Sequence, residues 1–223
     1  LLFAIFVHKY RFLDENIRGS LRKYILQSAE IIIPLKDQML GRNPADNLAR
    51  LLSTDACRFC DLTGADMTGL NLSQLDLRNA NLSDAKFFGA NLYVTNLRNA
   101  NLTGANLSGA FLRGAKLYNA ILTNTDLTGA DLSEGGLSKA DLTGAILIEA
   151  YLNKADLNAA YLMGANLTGA NLTGADMSEA YMNGANLTQA LLINVDMVGA
   201  TIREEDLDQA LLCYTKTVDG TVS

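Results

Sequence analysis

The sequence predicts a mainly β fold in which a regularly coiled chain, a β-solenoid, follows an α-helical N-terminal segment. From Leu62 to Leu212 an apolar residue recurs at every fifth position, 31 times, and 25 of these residues are Leu. Two positions before each of them, 23 of the 31 residues are Ala. The two prolines, Pro34 and Pro44, both precede the repeat. This is expected if the backbone amides of each coil bond to the next coil, because proline lacks that donor.

The five-residue period excludes a helix and a flat strand. In an α-helix five residues turn by about 500°, so successive Leu residues lie about 140° apart and form no single face. In a flat strand they alternate between faces. A chain that bends once per repeat keeps both series inside stacked coils. Glu205 also falls in an inward position, near the C-terminal end, where the core is expected to open to solvent. Predicted core residues, all in the Leu or Ala series, are Leu102, Leu107, Leu112, Leu127, Leu142, Leu167, Leu172, Ala165 and Ala170.

The run ANLTG at 165–169, with ADLTG at 140–144, resembles the pentapeptide-repeat family. The resemblance covers residues 60–214 and implies a right-handed quadrilateral β-helix with four pentapeptides per coil. Residues 60–214 would then form about 8 coils and a rod about 37 Å long, at roughly 4.8 Å per stacked strand. The family is especially numerous in cyanobacteria, so the resemblance also predicts a source of that kind.

Residues 1–59 form a different region, predicted to be α-helical. NPADNLARLLST at 43–54 indicates a short helix with Asn43 as N-cap and Pro44 at the first helical position. Residues 13–40 have helical character that is broken near Pro34. We expect these helices to cap the end of the solenoid, where core and edge amides are exposed. The alternative is a module for docking or self-association. Residues 215–223 are predicted to be a C-terminal tail.

The first seven residues, LLFAIFV, are apolar, and Lys9 and Arg11 follow them. One interpretation is a processed or truncated chain whose first helix packs on its neighbours. The other is the remnant of a membrane anchor at 1–7, with the basic residues on the cytoplasmic side. We therefore expect a cytoplasmic protein, with membrane association through the N-terminal segment as the alternative.

The cysteines are interpreted as structural. Cys57 and Cys60 form a CxxC pair, but both fall in inward positions of the repeat, where a buried cysteine behaves as a small apolar residue. A zinc site needs further ligands, and His8 is the sole histidine of the chain. Cys213 follows Leu212 and is expected to face outward as an idle thiol. No metal and no cofactor are expected.

The sequence favours a non-enzymatic protein. It contains no nucleophile elbow, no phosphate-binding loop and no zinc-protease motif. Its many Asp and Asn residues are part of the repeat and line a convex wall, where no concave pocket raises a pKa.

Charge divides along the chain. Residues 1–59 carry nine Lys and Arg against six Asp and Glu, whereas residues 60–214 carry eight against seventeen, a net charge of −9. An acidic rod disfavours direct nucleic-acid binding. The resemblance offers an alternative function, because some family members protect DNA gyrase by imitating the duplex. Three features favour a different function here. The repeat register is unbroken, no clear C-terminal helix is present, and four basic residues interrupt the negative charge. These residues are Lys116, Lys139, Lys154 and Arg203.

The preferred function is a scaffold that binds an unknown protein partner. If the repeats are grouped by twenty, Tyr161 and Tyr181 lie one coil apart on the outside, with Met163 beside them. The next-but-one face carries Tyr151 and Leu191, with Ile193 adjacent and Leu211 one coil further. Asn or Asp is the rule at the outward position, so apolar residues there indicate a partner or self-association surface. The alternative is scattered surface hydrophobes or contacts with the helical segment.

Overall fold

The computed structural model describes residues 44–54 and 57–222. The predicted helical stretch at 13–40, the apolar start at 1–7 and the Asn43 cap lie outside the described residues. Helix α1 spans Pro44–Thr54, so Pro44 occupies its first position. A repeating β-coil follows from Cys57 onward.

Each coil contains twenty residues, because parallel bridges join residues twenty positions apart along the repeat region. Twenty residues are four pentapeptides, so the coil has four faces. Each face is a column of outward-pointing bridge residues: face 1 runs from Asp61 to Thr201, face 2 from Asp66 to Asn186, face 3 from Asn71 to Leu211 and face 4 from Asp76 to Lys216. On face 3 the bridging lengthens into two strands, β1 (Leu191–Ile193) and β2 (Leu211–Cys213), which pair in parallel.

The pentapeptide 165–169 shows how each backbone N–H is satisfied. The Ala165 amide closes a turn onto the carbonyl three residues earlier at 3.0 Å. The Asn166 amide donates to the preceding coil at 2.9 Å. The Leu167 and Gly169 amides donate to the following coil at 2.8 and 2.9 Å. The Thr168 amide donates to the Oδ1 atom of Asn166 at 3.1 Å. All five donors therefore have partners, as a buried or half-buried backbone requires.

These bonds explain the repeat sequence. Asn or Asp before the Leu accepts the amide two residues on, and a following Thr or Ser hydroxyl donates to the same oxygen, 2.6 Å away for Thr168 and Asn166. The last residue of the pentapeptide has a positive φ, +66° at Gly169, which the third position of such a turn requires. Glycine adopts this conformation with the least strain, so it recurs there.

The interior of the coil is a continuous column of Leu and Ala side chains. All nine residues of the predicted core are fully buried. Where Thr replaces Ala, its hydroxyl bonds to a carbonyl of the preceding coil: Thr95 donates to Leu72 O at 2.7 Å and Thr125 to Leu102 O at 2.8 Å. A polar side chain is therefore tolerated inside when a carbonyl lies within reach.

Helix α1 packs against the first coil. Its Leu48 and Leu51 are buried in the same cluster as the first Leu residues of the repeat. The Asn47 side chain donates to Asp61 O at 2.8 Å. These contacts cover apolar surface and a backbone acceptor that the end of a solenoid otherwise exposes.

The coil changes at its C-terminal end. Residues Glu204–Leu207 form a short helix, α2, where the repeat predicts the next bridge of face 2. Glu205 does not point inward as its position in the repeat predicts. It is exposed and pairs with Arg203 at 2.6 Å. Burial of an unpaired carboxylate is costly, so the chain leaves the coil locally. Bridging then resumes and reaches Lys216, which also pairs antiparallel with Val222.

Candidate interaction surface

Face 1 carries the predicted tyrosine pair. Tyr161 and Tyr181 are bridge partners, and their rings stack with centroids 5.0 Å apart and an interplanar angle of 7°. Met163 lies exposed beside them. The two rings are 40% and 41% exposed, because each covers one face of the other. Stacking one coil apart follows from the 4.8 Å strand spacing, which is close to ring-stacking distance.

Face 3 carries the other predicted group. Tyr151 is 52% exposed, Leu191 is half-buried in β1, and Ile193 is exposed at the end of that strand. A four-faced coil places faces 1 and 3 on opposite sides. The structure therefore separates the predicted residues into two surfaces, and only one of them can face a flat partner at a time.

Two aromatic residues of face 3 were missing from the sequence prediction. Phe111 occupies the same column as Tyr151 and is 56% exposed, and Tyr93 lies on the neighbouring coil. The signal was present in the sequence: stepping back by forty residues from Tyr151 leads to Phe111. With these residues, the apolar surface of face 3 extends over most of the rod.

A groove runs along face 3 between these side chains. Its central part has a volume of about 270 Å³, with Phe111 and Tyr151 at its two ends and Asp131 and Ser133 between them. Phe111 and Asp131 also border a wider depression of about 450 Å³, which continues toward Tyr93. Since Asp131 bridges both Phe111 and Tyr151, the column order is aromatic, carboxylate, aromatic.

One ion pair flanks the groove. The Nη2 atom of Arg113 lies 2.8 Å from the Oε1 atom of Glu134, one coil away. This contact raises the pKa of Arg113 above its usual range. Asp131 accepts the Ser133 amide at 3.0 Å through Oδ1. The Asp131 carboxylate thus lies between the two aromatic residues and is held there by this hydrogen bond.

Face 4 has a different character, because its charges are sorted along the rod. Its N-terminal part carries Arg58 and Arg78, which both pair with Asp76 at 2.5 and 2.9 Å. The hydrogen bond from Arg78, with a smaller contribution from Arg58, holds the pKa of Asp76 well below its usual range. The C-terminal part of the face is acidic, and there Asp196 pairs with Lys216 at 3.0 Å.

Cys57 and Cys60 point into the first coil and are buried, as their positions in the repeat predict. The structure adds a disulfide between them, with Cα atoms 5.4 Å apart. The sequence interpretation as two separate apolar residues was therefore incomplete. Cys213 is exposed with a free thiol.

Among residues 44–54 and 57–222, no group of three or more His, Cys, Asp or Glu side chains is arranged to hold a metal ion. Over the same residues, no helix has the length and apolar character needed to cross a membrane.

The twenty-residue coil, its Leu and Ala interior and its side-chain-capped turns define a β-solenoid assembled from pentapeptides. The chain belongs to the pentapeptide repeat family: the family model "Pentapeptide repeats" matches residues 57–92, 95–133, 137–178 and 170–209, with 8 copies. The family's fold implies a right-handed β-helix. Pentapeptide repeat proteins are generally structural or interaction proteins.

Several solved structures are similar to this chain. HetL, a pentapeptide repeat protein involved in heterocyst differentiation regulation in the cyanobacterium Nostoc sp. strain PCC 7120, is 28% identical, with 79% of this chain and 98% of HetL covered and a TM-score of 0.42. Rfr23 from the cyanobacterium Cyanothece 51142 is 26% identical, with 76% of this chain and 99% of Rfr23 covered and a TM-score of 0.28. Full-length QnrB1, a plasmid-mediated fluoroquinolone resistance protein, is 18% identical over 72% of this chain and 81% of its own, with a TM-score of 0.49. The curated proteins contain no match.

Proposed function

We propose that this protein is a non-catalytic scaffold that binds another protein through face 3. The groove between Phe111 and Tyr151 is the observation that carries the proposal. Both rings are more than half exposed, although the rule at their position is Asn or Asp. Exposed aromatic side chains on a rigid frame contribute large contact area at a low cost in conformational entropy.

Face 3 is favoured over face 1 because of how the aromatic rings are arranged. On face 1, Tyr161 and Tyr181 stack on each other, so part of their apolar surface is already covered. On face 3, Asp131 lies between Phe111 and Tyr151 in the column, so the two aromatic rings are not bridge partners and do not stack on each other as the tyrosines of face 1 do. The apolar surface of face 3 is thus available to a partner.

The groove also indicates the chemistry of the partner. Its two aromatic residues stand two coils apart, roughly 10 Å between their backbone positions. After the thickness of the rings is subtracted, this spacing suits a planar cationic side chain that stacks on a ring and meets the Asp131 carboxylate. We infer a partner segment that presents an arginine flanked by apolar residues.

Affinity capture from the native host tests the proposal with three full-length baits. They are the unchanged protein, the face 3 variant Phe111→Asp/Tyr151→Asp and the matched face 1 variant Tyr161→Asp/Tyr181→Asp. We expect the unchanged protein and the face 1 variant to retain the same specific partner and the face 3 variant to lose it. Titration of the purified partner should show at least about a tenfold loss of affinity, as for a hot-spot pair.

All four side chains point outward, so circular dichroism should be unchanged in both variants. The thermal midpoint should fall in both, because each variant places three carboxylates on successive bridge positions of one column. Retention of the partner by the face 3 variant would overturn the assignment of the groove. Loss of the partner only in the face 1 variant would transfer the function to the tyrosine pair.

Imitation of DNA is the alternative function, and face 4 argues against it. A duplex mimic needs a continuous negative surface, whereas the N-terminal half of face 4 exposes Arg98 and Lys116. A supercoiling assay with purified gyrase distinguishes the two functions. The scaffold proposal expects no effect of this protein on supercoiling or on its inhibition by a fluoroquinolone.

A further inference from the structure

Face 4 carries a strong charge asymmetry along the rod axis. Between residues 58 and 139, the face and the corner that leads from it to face 1 carry five basic residues and one acidic residue, a net charge of +4. Between residues 156 and 199, they carry four acidic residues and no basic residue, a net charge of −4. The basic residues are Arg58, Arg78, Arg98, Lys116 and Lys139, and the acidic residues beyond them are Asp156, Asp176, Glu179 and Asp196.

Four of these charges have no ion pair within the described part of the chain. Arg98 and Lys116 are exposed near the basic end, and Asp156 and Asp176 are exposed near the acidic end. Each of the two carboxylates accepts the amide two residues on through its Oδ1 atom, at 3.1 and 3.0 Å. This leaves the second carboxylate oxygen facing solvent. By contrast, Asp76 and Asp196 are already paired on their own face.

The midpoint between the basic and acidic halves is flat. Gly136 bridges Lys116 on one side and Asp156 on the other, and a Cβ atom built on it meets nothing within 4 Å. Ser138, the next outward position, is buried. A second surface can therefore approach closely at this level, between the two oppositely charged halves.

We propose that two copies of this chain associate side by side and antiparallel through face 4. The two-fold axis lies in the interface at the level of Gly136. Rotation about it exchanges coils that are equally distant from Gly136. Lys116 of each copy then faces Asp156 of the other, and Arg98 reaches Asp176 of the other. An isologous interface forms each contact twice, so four ion pairs result.

The order of charges along the face supports this occupant over an unrelated partner. A surface that pairs with itself in antiparallel fashion must have opposite charges at equal distances from its centre, and face 4 meets this condition at two successive levels. Lys139 lies at the corner of the coil at the level of the two-fold axis. There it faces Lys139 of the other copy and contributes no ion pair. This inference does not depend on the partner proposed for face 3.

The association should be weak and sensitive to salt. Five coils by one face cover roughly 24 Å by 10 Å, and even the full column remains well below the roughly 800 Å² per partner of stable complexes. Exposed ion pairs are screened at distances near 10 Å in about 0.1 M salt. The dimer should therefore form at low ionic strength and high protein concentration, and dissociate on addition of salt.

Sedimentation velocity on two charge-reversed variants of the full chain tests the proposal. Arg98→Glu/Lys116→Glu places acidic residues at the two contact levels on both sides of Gly136, and Asp156→Lys/Asp176→Lys places basic residues at the same levels. We expect the unchanged protein to show a dimer in low salt. Each variant alone should be monomeric under these conditions, because like charges then face each other. An equimolar mixture should form a heterodimer, since every contact is again between opposite charges.

Matched controls carry the same charge changes away from the contact levels of face 4. Arg50→Glu/Lys86→Glu, on helix α1 and face 2, changes the net charge from −6 to −10, as the first variant does, and Asp126→Lys/Asp141→Lys, on faces 2 and 1, changes it to −2, as the second does. Both controls should dimerise like the unchanged protein. A monomeric unchanged protein at about 0.5 mM in low salt would overturn the proposal, because a dimer with a Kd of about 0.1 mM is mostly formed at that concentration. So would charge-reversed variants that dimerise normally, or a mixture that remains monomeric.

Discussion

The stability of this rod should depend on where along its axis a core residue is removed, and two identical substitutions test this. Leu142 and Leu212 occupy the same position of the repeat, but Leu142 is fully buried in the middle of the rod and Leu212 is half-buried at its C-terminal end. Leu→Ala removes three carbon atoms, which corresponds to about 2.4 kcal/mol of transfer free energy at full burial.

A cavity adds to this cost at Leu142. Its amide bonds to the next coil at 2.7 Å, and the Leu122 amide bonds to the coil of Leu142 at 2.6 Å. The neighbouring coils are thus held apart by backbone hydrogen bonds and cannot close over the space. We expect Leu142→Ala to lower the free energy of unfolding by about 4 kcal/mol, near the upper end for such changes. Leu212→Ala should lower it by about 1 kcal/mol, because the terminal coil is open to solvent.

Urea unfolding monitored by circular dichroism measures both values, and hydrogen exchange shows whether the terminal coil opens separately. The reasoning predicts that the two values differ by at least about 2 kcal/mol. If the two substitutions have equal effects, or if Leu142→Ala costs less than the terminal change, the assumption of a rigid inter-coil spacing is refuted.

Three further predictions concern the walls of the coil. Asp76→Asn should lower the free energy of unfolding by up to about 1 kcal/mol at pH 7. Because the folded pKa of Asp76 lies well below its unfolded value, the difference should begin to shrink as the pH falls below about 4 and be lost only as the pH falls through the folded pKa. Chemical unfolding across pH would measure it, and a constant difference would contradict the ion-pair argument. Asn166→Ala should cost about 1 kcal/mol because the Thr168 amide and hydroxyl lose their acceptor, whereas Asn166→Asp should retain most of the stability. Gly164→Ala should lower the free energy of unfolding by about 1 kcal/mol, whereas Gly136→Ala should leave it almost unchanged. Both sites have room for a Cβ atom, but only Gly164 has a positive φ, +64°. Equal thermal midpoints for these two variants would show that φ does not limit the turn.

Much of the fold could be predicted from the pentapeptide alone. The five-residue period assigns an inward or outward direction to each residue, and the described core follows that assignment from Leu62 to Ala200. The period does not reveal how many pentapeptides close one coil. That number came from the family resemblance, and the bridges between residues twenty positions apart establish it here.

The candidate surfaces were predicted less completely. Grouping by twenty placed Tyr161 next to Tyr181, and the structure has them stacked. It also placed Tyr151 on a separate face with Leu191, but Phe111, two coils before Tyr151 in the same column, was missing from that group. The groove between Phe111 and Tyr151 depends on the shorter side chain of Asp131 between them as much as on the two aromatic residues. The apolar positions of the sequence alone therefore do not show it.

The sequence by itself determined the direction of every side chain in the regular coils, because a chain that bends once every five residues has a single way to keep Leu and Ala inside. The tertiary structure decided which outward residues are neighbours, since that depends on stacking across twenty residues. It also decided where the pattern ends. The five-residue series continues through Glu205, yet the chain turns into α2 there, because the free energy of burying a carboxylate outweighs that of one more coil.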